Sequence, residues 1–123
     1  MTTPVELVDY PAVAPDDMQQ RIDGFLKACD GVRDATDDNQ RRARLKIATV
    51  HAGALLVRRQ ELETMLSDGD RWLSENYSEE DETQWIQWDQ EYRAIWDALR
   101  EGAQIAFGDA PEAAQAHLFG IAS

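Results

Sequence analysis

Six cations with no acid among them are the most concentrated chemistry in this chain. Between Asn39 and Gln60 lie Arg41, Arg42, Arg44, Lys46, Arg58 and Arg59, and not one Asp or Glu. The chain of 123 residues carries a net charge of −12, so everything outside this +6 stretch carries −18. Guanidinium and ammonium groups in such a run seek carboxylates or phosphates. Three counter-charges are open to them: the protein's own acidic helices, an acidic partner, or a nucleic acid. Internal pairing is the first expectation. The acids of Asp23–Asp38 lie in sequence next to Arg41, Arg42 and Arg44. The run Glu79-Glu80-Asp81-Glu82 opens a later helix whose start is expected beside Arg58 and Arg59. Arg41 to Lys46 sit in the first turns of a helix, where cations oppose the dipole at a cost of up to about 1 kcal/mol each. No aromatic residue interleaves the arginines, which argues against a platform for stacking single-stranded bases.

Tryptophan is the second feature. Trp72, Trp85, Trp88 and Trp96 fall within one stretch that also holds Tyr77 and Tyr92. At helical spacing they read as core, or as anchors for a partner surface, where Trp is enriched. Trp85 and Trp88 have Gln84, Gln87 and Asp89 as neighbours and are expected to be half-buried. With the six cations they make up the candidate interaction residues.

Other chemistry is thin. A ferritin-like di-iron bundle needs Glu three residues before His, but Ala48 and Ala114 precede His51 and His117 at that spacing. Cys29 falls on an apolar helix face and reads as a small core residue. There is no Gly-x-Ser-x-Gly and no phosphate-binding glycine loop. No catalytic residue, metal or cofactor is therefore expected. A single cysteine suits a reducing cytoplasm. No apolar run is long enough to span a membrane, and the opening Met-Thr-Thr-Pro-Val-Glu does not resemble a signal peptide.

These residues must be held by helices, because apolar residues recur at steps of three and four almost throughout. Residues 1–15, with Pro4, Pro11 and Pro15, read as an extended arm, and residues 16–123 as one helical-bundle domain. Met18, Ile22, Phe25, Leu26, Cys29 and Val32 mark a first helix of medium length. A second spans about Asp38 to Ser67, closed by Gly69, with Leu45, Ala48, Ala52, Leu55, Leu62 and Leu66 on one seam and Arg59 in its remaining slot. Ile47, Val50, Ala54 and Val57 form an adjoining stripe, which predicts contact with a further helix. Asp70–Tyr77 reads as a short helical turn. Ser78 caps a third long helix that runs to Phe107 with Trp85, Trp88, Tyr92, Ile95, Trp96 and Leu99 on its stripe, and Pro111–Phe119 as a last short helix. The predicted fold is all-α: a bundle of two long antiparallel helices, one medium helix and short flanking helices.

The medium helix is too short to cover the long pair, which predicts a homodimer. The function these features suit is a small acidic protein-interaction module, an adaptor or assembly subunit without enzymatic activity. Two alternatives share some of them: an acidic inhibitor mimicking nucleic acid, and a nucleoprotein subunit that sets Arg41–Lys46 on phosphates.

Overall fold

The computed structural model describes residues 10–108. It contains three helices, α1 (Pro15–Arg33), α2 (Asp38–Glu75) and α3 (Glu79–Phe107), and no strand among the described residues. The architecture is all-α and bundle-like, each helix packing on the other two. The predicted helix over 111–119 and residues 1–9 of the predicted arm lie outside the described residues.

Local chemistry sets the helix starts. Pro15 occupies the first turn of α1, followed by Asp16 and Asp17 at the positive end of its dipole. The Asp37 carboxylate accepts from the Gln40 amide at 2.8 Å and caps α2. The Ser78 hydroxyl accepts from the Asp81 amide at 3.1 Å and caps α3, whose first turn holds four acids. Gly108, at φ 58°, ends α3 in a conformation that suits glycine.

The core follows the predicted seams except in the second half of α2, where Arg58 and Met65 are buried in place of the expected Arg59 and Leu66. Met18, Ile22, Phe25, Cys29 and Val32 of α1 close on Ala48, Ala52, Leu55 and Leu62 of α2 and on Trp88, Ile95, Leu99 and Ala103 of α3. Small residues bring the helices together where α1 crosses α3. A Cβ on Gly102 would collide with the Phe25 ring and touch the Cys29 sulfur.

Two further features depart from the sequence reading. First, α2 does not stop at Gly69 but continues through it to Glu75, 38 residues and about 57 Å in all. Gly69 stands seven residues after Leu62 and fourteen after Leu55, and like them it is buried on the seam. Its φ is not positive, so it continues the helix instead of capping it. Trp72 secures the extra turns by donating from Nε1 to Asp81 at 3.0 Å. Second, the stripe Ile47, Val50, Ala54 and Val57 meets no further helix among the described residues. Ile47 is 55% exposed, Val50 74% and Val57 62%.

The two mid-helix glycines should respond oppositely to alanine. Gly53 has nothing within 4 Å of an added Cβ, so Gly53→Ala should stabilise by about 0.5–1 kcal/mol through helix propensity alone. Gly102→Ala gains the same propensity but forces Phe25 out of place, and should lose about 1–3 kcal/mol. Urea midpoints of the two variants would measure both signs.

Candidate interaction surface

The cations of α2 divide into two groups. Arg58 is 2% exposed, in the core rather than on a flank. Its Nε and Nη2 donate to the two Glu91 oxygens at 2.6 and 3.1 Å, a bidentate pair from α2 to α3. Its Nη1 donates to Glu61 at 2.7 Å and to the Pro11 carbonyl at 3.0 Å. Desolvation works against the charge, but the bonds from Glu91 and Glu61 outweigh it and leave the guanidinium above its ordinary range.

Arg59 takes a different solution. Its guanidinium lies 4.3 Å from the centre of the Trp96 ring, and its Nε is 3.9 Å from Glu63. Arg100 approaches the same ring at 5.6 Å. Trp96 is thus a half-buried platform rather than a core residue.

Arg41, Arg42, Arg44 and Lys46 form no ion pair among the described residues. Arg41 donates to the Ala106 carbonyl at 3.4 Å and Arg44 to the Gly31 carbonyl at 2.9 Å. Most of the acids expected to face them are engaged elsewhere. Asp30 and Asp34 pair with Arg33, and Asp37 caps α2.

The acidic start of α3 is likewise not beside Arg58 and Arg59, because the extra turns of α2 postpone the chain reversal. The start of α3 therefore faces Trp72, and Arg58 meets Glu91 in the middle of α3.

Trp85 and Trp88 are placed by internal contacts. Trp88 is 4% exposed, with the Tyr10 ring edge-on at 5.6 Å. The expectation that it is half-buried holds for Trp85 alone, whose Nε1 donates to the Leu66 carbonyl at 3.0 Å. Tyr10 in turn donates to Asp68 at 2.6 Å, and that bond, with burial, pushes its phenol up to about 12.

A groove of about 970 Å³ runs between the segment before α1 and the Gln84–Ala94 face of α3, with Arg58 at its floor. Arg58 has already committed its fork to Glu91 and its Nη1 to Glu61 and Pro11, so the groove offers a ligand little free positive charge, while Asp17 on its wall is an exposed acid.

Other reactive groups serve the fold. Cys29 is fully buried, and burial pushes its thiol up to about 12. The His51 ring lies against Gly24, 3.5 Å from the place a Cβ would take. Among the described residues no three His, Cys, Asp or Glu side chains are grouped to hold a metal ion, and no helix is long and apolar enough to cross a membrane. Comparison with protein-family models, curated proteins and solved structures finds no match for the chain.

What stands without an internal role is the outer face of α2. Ala43, Ile47, Val50, Ala54 and Val57 follow one another at steps of four, three, four and three, all exposed. The four cations at the start of α2 lie at the same end. Sequence periodicity detects this stripe, and helix lengths predict uncovered apolar surface on the long pair, but not which stripe the bundle leaves bare.

Breaking the Arg58 cluster should be costly. Arg58→Ala leaves Glu91, which is 13% exposed, buried without its partner and should lose about 3–5 kcal/mol. Replacing both Arg58 and Glu91 by Met should recover much of that, as denaturant titration would show. Tyr10 and Cys29 carry an alkaline signature. Both are held neutral by the fold, so their contribution is complete below their ordinary values of 10.0 and 9.0 and is lost as the pH rises towards about 12. Stability measured against pH should therefore begin to fall above 9, and a thiol reagent at neutral pH should label Cys29 only after denaturation.

Proposed function

We propose that this chain is a protein-interaction module, an adaptor or assembly subunit without catalytic activity, and that it engages its partner through the outer face of α2. One observation supports the reading above the rest. Isolated exposed apolar residues are ordinary, but five in a 4-3-4-3 sequence along one helix have the spacing of a coiled-coil seam. Covering the exposed parts of Ile47, Val50 and Val57 would contribute roughly 3–5 kcal/mol, on the scale of a reversible contact. No catalytic group is needed for such a role, and the one thiol is buried and kept neutral.

The test is a pull-down from the native cell extract with the full chain and with Val50→Asp, each with and without nuclease. Val50 is exposed, so its replacement should leave the melting temperature unchanged. A stoichiometric protein partner that survives nuclease and is absent from the Val50→Asp bait is the expected result. Recovery of the bait alone, or of a partner that nuclease removes, would refute the reading.

A further inference from the structure

Resting on that reading, the geometry points to the class of segment that α2 receives. We infer that the occupant of the outer face is an acidic amphipathic helix of a partner protein, with apolar residues on its seam and Asp or Glu beside them. The length of the face comes first. From Ala43 to Val57 the seam covers two heptads, about 21 Å, which a partner helix of about 15 residues would cover. Gly53 stands beside Val50 and Val57 on the same side of α2 with nothing within 4 Å of a Cβ, so a partner side chain can come close there.

Charge then selects the partner. Lys46 neighbours Ala43 and Val50 at three and four residues, Arg42 stands one turn before Lys46, and Arg44 neighbours Ile47. No acid lies on α2 between Asn39 and Gln60 to offset them. Arg58 is matched by Glu91 and Glu61, and Arg59 lies between the Trp96 ring and Glu63 with its Nε and Nη1 buried and without a hydrogen bond among the described residues, whereas Arg42 and Lys46 are exposed and have no ionic partner among the described residues. Arg41 and Arg44 turn to the packed side of α2, donating to the Ala106 and Gly31 carbonyls, so Arg42 and Lys46 are the cations that stand at the outer face.

A second copy fits this face less well. A parallel pairing sets Arg42 and Lys46 against their own counterparts, and an antiparallel one sets them against Ala54 to Gln60, which has no acid to offer them. A phosphate backbone would meet the cations but offers nothing apolar to the branched side chains between them.

The experiment uses two synthetic peptides of about 18 residues, end-capped and fluorescein-labelled. Both carry Leu on the seam. One has Glu at the flanking positions and the other Lys. Anisotropy is read against the full-length chain. The Glu peptide should bind with a Kd on the order of 10–100 µM, and the Lys peptide at least about tenfold more weakly. Val50→Asp should abolish binding of the Glu peptide at unchanged melting temperature, and Arg42→Glu with Lys46→Glu should remove the preference. Equal binding of both peptides, or no effect of Val50→Asp, would overturn the inference. So would a wild-type dimer that Val50→Asp makes monomeric in sedimentation, which assigns the face to a second copy. Displacement of the Glu peptide by a DNA duplex would assign the cations to phosphate and overturn it likewise. If Val50→Asp loses its partner in the pull-down while the two peptides bind equally, the interaction module stands and only the acidic class of its partner falls.

Discussion

The burial of Arg58 is the constraint around which the rest of the structure is arranged. A guanidinium at 2% exposure is tolerable only if its charge and its donors are matched. Glu91 supplies the match from α3, Glu61 from the next turn of α2, and the Pro11 carbonyl from the segment before α1. One side chain thus fixes where α3 stands along α2 and where the chain enters the bundle. Tyr10 extends the same cluster, donating to Asp68 and meeting Trp88 with its ring. Apolar seams alone permit the helices to slide by a heptad. A bidentate pair between single residues does not, because a slip would bury two unpaired charges.

That register has consequences at both ends of α2. At its C-terminal end, the continuation through Gly69 gives Trp72 and Asp81 their bond and pins the turn into α3. At its N-terminal end, α3 arrives with Ala106 beside Arg41, so the neighbouring group there is a carbonyl and not a carboxylate. The basic stretch is therefore split. Its second half is absorbed into the bundle, and its first half stands beside an apolar stripe that no described helix covers. The proposed interaction face is the remainder left when the internal charges have found their partners.

Much of the fold was legible in the sequence because helical periodicity and caps are local signals. The seam through Ala48, Ala52, Leu55 and Leu62, the stripe of α1, and the cap at Ser78 all stand where spacing and residue type put them. Gly69 misled because a glycine followed by polar residues ordinarily ends a helix, whereas here its lack of a side chain is used inside a packed seam. The site was less legible. Arg58 and Arg59 are adjacent, identical and equally basic, yet one is a buried ion-pair centre and the other lies over a tryptophan ring. A rotation of about 100° per residue separates them, and only the position of α3 decides which turns inward.

What the sequence determined by itself is the set of helices, their apolar faces and the concentration of positive charge on one of them. Each follows from interactions within a few turns of chain. What the tertiary structure decided is which charges are satisfied and which apolar stripe is covered. Burial and ion pairing depend on residues dozens of positions apart, such as Arg58 with Glu91 and Tyr10 with Asp68. An apolar stripe carries the same pattern whether a helix covers it or not. Ile47, Val50 and Val57 are exposed because α1 and α3 both pack on the other side of α2, a fact about the arrangement of helices that no local pattern encodes.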